Sequence, residues 1–104
     1  MKKIAFIYMM SNKHGNVLYI GVTSNLRKRA YEHRHHLLEK SFTDVYNLEY
    51  LVYYEHYESV ALAIEREKQL KKWTRAKKDA LIAIRNPSRR DLYSEIQEEV
   101  YSLI

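Results

Sequence analysis

Two short runs near the start of the chain constrain its fold most. Ile4 to Met10 and Val17 to Val22 are rich in β-branched and aromatic residues, and a six-residue polar segment holding Gly15 separates them. Runs of this length and composition, joined by a turn-length connection, read as a β-hairpin. If Met10 pairs with Val17, Tyr8 lies directly opposite Tyr19 and the two phenols share a face. The first run is only seven residues long, far short of the roughly 20 that span a bilayer. It follows Lys2-Lys3, but the polar Ser11-Asn12-Lys13-His14 after it offers no small-residue cleavage site. We therefore expect a strand in a cytoplasmic protein, with no membrane partner.

The remaining pattern alternates helix and strand signals. Thr23-Ser24-Asn25 supplies N-cap chemistry for a helix from about Leu26 to Leu38, with Leu26, Ala30 and Leu37 as its apolar stripe. His33 falls inside that stripe and Arg29 on its edge. Leu48 to Glu55 reads as a third strand, with Tyr50, Val52 and Tyr54 on one face and Leu51 and Tyr53 on the other. Ser59 can cap a helix to about Trp73, striped by Val60, Ala63, Ile64 and Leu70, with Glu67 in the middle of the stripe. Thr74 starts another helix to Arg85, carrying Leu81 and Ile84, which Asn86-Pro87 stops. Ser88 and Asp91 form a capping pair for a last helix over about 89–102, striped by Leu92, Ile96 and Val100. The expected fold is α+β, a small three-stranded antiparallel sheet flanked by helices in the order β-β-α-β-α-α-α. At 104 residues one domain, 1–104, with one core is expected.

Composition narrows the chemistry. The chain has no cysteine, which removes disulfides, thiolate metal sites and thiol nucleophiles together. Its net charge of +5 is unevenly distributed. Residues 1–40 carry eight basic and two acidic side chains, 41–67 one and six, 68–90 nine and one, and 91–104 none and four. Two basic blocks thus flank an acidic one. Clustered Lys and Arg make the field that draws phosphate, although an ordinary solvated basic surface gives the same count. The cations best placed to meet a nucleic-acid backbone are Arg27, Lys28, Lys68, Lys71, Lys72 and Arg75.

Three features point to a site. Glu67 occupies a core-facing helical position, where a carboxylate is costly unless it is ion-paired or holds a cation. Arg29 and His33 are i, i+4 neighbours that look toward the sheet. Each also has an ordinary structural explanation, a partly buried ion pair for Arg29 and a hydrogen-bonded core histidine for His33. Tyr8 and Tyr19 share a sheet face, where aromatics are common in any case. Together the five would supply a base, a phosphate clamp and a metal ligand between sheet and helices.

At these residues the sequence resembles the GIY-YIG nuclease family. Ten residues separate Phe6-Ile7-Tyr8 from Tyr19-Ile20-Gly21, and Arg29 stands eight residues beyond Gly21. The stretches Tyr19 to His33, Leu51 to Glu55, Arg66 to Trp73 and Asn86 to Tyr93 resemble the small stand-alone bacterial members, which are related to the N-terminal nuclease domain of the bacterial excinuclease. The motif-bearing core is 4–93. Phe6 replaces the first glycine of the motif, and Arg89 stands where the family pattern has tryptophan.

The resemblance implies roles for particular residues. Tyr8 matches the tyrosine proposed as general base for the attacking water, Tyr19 the one that hydrogen-bonds in the phosphate site, and Gly21 the glycine beside it. Arg29 matches the arginine on the scissile phosphate, and His33 a position that supports proton transfer through the first tyrosine. Glu67 matches the sole carboxylate ligand of a divalent metal, Mg²⁺ or Mn²⁺, and Asn86 a residue that shapes the site. The implied function is metal-dependent endonuclease action on DNA rather than RNA, in repair, recombination or processing, by a monomer rather than a homodimer. One carboxylate suffices for Mg²⁺, which keeps several waters, and arginine offers a fixed, charged fork for phosphate. The alternatives are a non-catalytic nucleic-acid-binding module of the same fold, and an interaction domain that dimerises through Leu92, Ile96 and Val100.

Overall fold

The computed structural model describes residues 4–96. In chain order it comprises β1 (Ala5–Ser11), β2 (Leu18–Thr23), α1 (Leu26–Arg34), α2 (Phe42–Val45), β3 (Tyr50–Tyr57), α3 (Val60–Lys71) and α4 (Arg75–Arg85). A further helical stretch covers 93–96. The three strands form one antiparallel sheet in the order β2-β1-β3, as expected from the sequence. α2 is the one added element. Val100 and the rest of the expected last helix beyond Ile96 lie outside the described residues.

β1 is the central strand, and all seven of its residues are buried. Phe6, Tyr8 and Met10 face a core shared with Leu26, Ala30, Leu48, Leu51, Leu92 and Ile96. Ala5, Ile7 and Met9 face a second core with Ile20, Val52, Tyr53, Ala63, Leu70 and Ile82. α1 and the 92–96 segment therefore cover one face of the sheet, while α3 and α4 cover the other. Among the described residues no helix is long and apolar enough to cross a membrane.

The hairpin register differs from the expected one by two residues. Tyr8 pairs with Gly21, Met10 with Tyr19 and Ser11 with Leu18, so the six-residue turn is 12–17 rather than 11–16. Asn12 organises it, accepting a hydrogen bond from Gly15 N through its carbonyl at 3.0 Å and from Val17 N through its side chain at 3.2 Å. A shift of two preserves the faces, since side chains alternate with period two. Tyr8 and Tyr19 therefore still share a side.

β3 runs about two residues later than expected, and its alternation changes phase. Met9 pairs with Tyr53 but Met10 with Leu51, so Val52 is an extra residue opposite that step. This bulge sends Val52 and Tyr53 to the same core, whereas Leu51 and Tyr54 pack in the other. The expected grouping of Tyr54 with Tyr50 and Val52 fails for this reason.

The helix caps follow the sequence closely. Asn25, Ser59 and Thr74 accept from the backbone N–H three residues ahead. α1 stops at Arg34 rather than Leu38, because His36 turns into the left-handed region at φ +57°, and Leu37 is left exposed. On α4 the buried residue is Ile82, while Ile84 is 79% exposed; Ile64 of α3 is also exposed. Asp91 caps the last helical stretch itself, accepting from Tyr93 N at 3.1 Å and also from Leu51 N at 3.1 Å. It is therefore the cap rather than the capping partner of Ser88.

Candidate active site

The first face of the sheet carries a chain of buried polar groups. Tyr8 points from the middle of β1 toward α1, and its Oη lies 2.9 Å from His33 Nε2. His33 Nδ1 lies 2.8 Å from Thr43 Oγ1, which is 3.0 Å from Ser41 Oγ. His33 and Thr43 are both buried, so each hydrogen bond offsets a desolvation cost. When Nδ1–H donates to Thr43, Nε2 is left to accept from the Tyr8 hydroxyl. In that tautomer His33 can take the tyrosine proton.

The electrostatics keep both groups neutral in the resting protein. Burial pushes the Tyr8 phenol above its ordinary value, and Tyr19 adds to this, while the Arg29 guanidinium beside it works in the opposite direction. Burial and the same guanidinium hold His33 down to about 4, against a smaller opposing pull from Glu32. Arg29 is half-buried on α1 and donates from Nε to Glu32 Oε1 at 3.1 Å.

Tyr19 completes the group through its ring. Its centroid lies 6.1 Å from that of Tyr8 and 5.8 Å from that of His33. Gly21 makes this approach possible. A Cβ there would stand 2.6 Å from Tyr8 Oη and 2.9 Å from Tyr19 Cε2, closer than any side chain could sit without displacing a ring.

Glu67 comes from a different element, α3, whose Ala63 and Leu70 pack against the second face of the sheet. Its side chain is 20% exposed, and Lys71 Nζ approaches its Oε2 at 3.5 Å. The other carboxylate oxygen is unengaged among the described residues. A hard oxygen donor with one free lone-pair face fits Mg²⁺ or Mn²⁺, provided water and substrate fill the remaining positions. Among the described residues no group of three or more His, Asp or Glu could hold a metal ion. α3 is anchored by the preceding residue, Arg66, which donates to both Glu55 oxygens at 2.9 and 3.0 Å.

The family profile described as the GIY-YIG catalytic domain matches residues 4–79. The chain belongs to the GIY-YIG family. Among solved structures it is similar to the solution NMR structure of the UPF0213 protein BH0048 from Bacillus halodurans. The two are 22% identical with a TM-score of 0.53, and the match covers 82% of this chain and 88% of that one. This likeness supports the fold. Comparison with curated proteins found no match.

Of the GIY-YIG positions identified in the sequence, Tyr8, Tyr19, Gly21, Arg29 and His33 come together on one face. Asn86 does not join them. It is buried at the end of α4, donating to Val52 O at 3.0 Å and Arg90 O at 2.9 Å and accepting from Arg90 N at 3.1 Å, so it fastens the 86–90 turn to β3. The basic candidates divide between layers, Arg27 and Lys28 on α1 and Lys68, Lys71 and Lys72 on or just after α3. Lys28, Lys68, Lys71 and Lys72 are exposed and Arg27 is half-buried. Arg75 is already committed, bonding the carbonyls of Gly15 and Asn16 and the carboxylate of Asp79. Arg89 joins it on Asp79 at 2.9 Å, which gives the residue in the tryptophan position a packing role of its own.

Sequence reasoning missed Ser41 and Thr43. The available signal was Ser41-Phe42-Thr43-Asp44, which has the form of a capping box. Ser41 Oγ accepts from Asp44 N at 3.2 Å, and Asp44 reaches back to Lys40 N at 2.9 Å.

Proposed function

We propose that this GIY-YIG chain is a metal-dependent endonuclease that hydrolyses phosphodiester bonds of DNA, acting as a cytoplasmic monomer in repair, recombination or processing. The observation that carries this reading is the buried Tyr8–His33 hydrogen bond with Arg29 alongside. This hydrogen bond gives the phenol's proton a neutral acceptor as Tyr8 takes one from the attacking water.

In this reading Arg29 holds the non-bridging oxygens of the scissile phosphate. Tyr8 Oη takes a proton from the attacking water while its own proton passes to His33 Nε2. The water oxygen bonds to phosphorus, the bond from phosphorus to the 3′ oxygen breaks, and that oxygen takes a proton from solvent, so the products are a 5′-phosphate and a 3′-hydroxyl. Glu67 would hold Mg²⁺ or Mn²⁺, which when bound supplies charge neutralisation at the phosphate and the leaving oxygen.

A nicking assay on supercoiled and branched DNA with Mg²⁺, Mn²⁺ or chelator tests the proposal. Glu67→Ala should abolish metal-dependent nicking with the fold intact, and Arg29→Ala should lower the rate on the order of 10². Undiminished nicking by Glu67→Ala refutes the metal assignment. One observation favours a second reading, a non-catalytic binding module: Glu67 is already ion-paired with Lys71. Salt-sensitive binding with no cleavage under either metal selects it.

A further inference from the structure

A row of aromatic rings leaves the site and runs outward over the surface. Tyr19, whose ring packs against Tyr8 and His33, stacks on Phe42 at 6.2 Å between centroids and 28° between planes. Phe42 in turn packs on Tyr46 at 4.7 Å. Phe42 and Tyr46 are 47% and 50% exposed, and Val45 between them is 62% exposed. They stand one helical turn apart on and just after α2, so their rings neighbour each other. Neither ring belongs to the two cores, because the buried residue of α2 is Thr43. Instead a continuous apolar strip begins at the polar group that would meet the phosphate.

We propose that this strip is a stacking platform for unpaired bases next to the scissile phosphate, so that the substrate is a single strand or the unpaired part of a branched duplex. Inside a duplex each base face is covered by its neighbours, and only an unpaired base offers one to a protein ring. Aromatic faces accept any base, which suits a chain with little surface for sequence reading. The charge agrees. α1, on the same side of the sheet as Tyr19, carries Arg27, Lys28 and Arg29, whose positive field draws the backbone of the strand whose bases stack. Two of the carboxylates near the platform are occupied, because His36 bonds both Asp44 and Glu49. The proposal rests on the nuclease reading only for the position of the scissile phosphate.

The test is fluorescence anisotropy of a labelled single-stranded oligonucleotide and its blunt duplex with the whole chain in chelator, followed by cleavage of both with Mg²⁺. The single strand should bind more tightly. Phe42→Ala and Tyr46→Ala should each weaken it about 5- to 150-fold, the loss expected for one stacked base, and leave duplex binding unchanged. Phe42→Leu, which keeps the apolar surface, should fall with Phe42→Ala, whereas Phe42→Tyr should bind like the parent. Equal losses on both substrates, no loss, or a Phe42→Leu variant that binds normally overturns the platform. So does light scattering that shows Phe42→Ala dissociating a dimer, since the strip then covers a second copy. Stacking-dependent binding without cleavage sinks the nuclease reading alone, and cleavage indifferent to Phe42 and Tyr46 sinks the platform alone.

Discussion

Tyr8 and Gly21 face each other across the β1–β2 ladder, and the tyrosine hydroxyl occupies the space that a side chain at residue 21 would need. Gly21→Ala should therefore push Tyr8 away from His33, lowering stability by about 1–3 kcal/mol and removing most nicking activity. Urea unfolding and a nicking assay on the same preparation check this. A variant that matches the parent in both contradicts the geometry.

Thr43 orients His33 without reaching the substrate. Thr43→Val leaves Nδ1 buried without a partner, at a cost of about 1–3 kcal/mol, and frees the imidazole to change tautomer. Nicking should fall and its dependence on pH should change, while Thr43→Ser restores both. Equal stability losses in the two variants would contradict this role.

His33 and His36 should be shifted in opposite directions, and NMR of the ring protons can follow them separately. His33, held down to about 4 by burial and Arg29, stays neutral in the fold while the unfolded chain takes up a proton near pH 6.5. Stability from this group therefore falls as pH drops from about 6.5 to about 4, by about 3 kcal/mol in total. His36 is raised by its bonds to Glu49 and Asp44. Its contribution is complete below its ordinary value and is lost as pH rises through the raised one. Ring protons of His33 moving with a midpoint at or above pH 6.5 would refute the burial argument.

Arg75 and Lys28 should separate structure from binding. Arg75 ties α4 to the β1–β2 turn, so Arg75→Ala should lower Tm and leave the salt dependence of nucleic-acid binding unchanged. Lys28 is exposed on α1, and Lys28→Ala should lower the salt slope by about 1 with little change in Tm. The reverse pattern would return Arg75 to the binding surface.

These cases show what was legible in the sequence. Among the described residues, period-two runs and N-cap residues located the three strands and the helices α1, α3 and α4, because those signals are local. The pairing of Tyr8 with Tyr19 on one face was also legible, since it survives a register shift of two. The register itself depended on Asn12 hydrogen bonds within the turn, and the phase change in β3 on a single extra residue, Val52. Neither alters the apolar pattern read from the sequence. Glu67 sits on α3 between Ala63 and Leu70 with its side chain 20% exposed, and an apolar stripe does not say what a carboxylate on it meets. Thr43 went unseen because its partner His33 comes from another element, and only the folded chain brings them together.

β1 is the first strand in the chain and the middle one in the sheet. During synthesis it leaves the ribosome with both edges unpaired and both faces apolar. β2 can cover one edge at once, but the other must wait until residue 57 has emerged. At about 5–20 residues per second that interval lasts a few seconds. Throughout it, Ala5–Ser11 presents a bare edge to any neighbouring strand, so newly made chains are most vulnerable to aggregation before β3 is complete. Slowing translation between the two strands should therefore reduce soluble yield, even though the finished protein is unchanged.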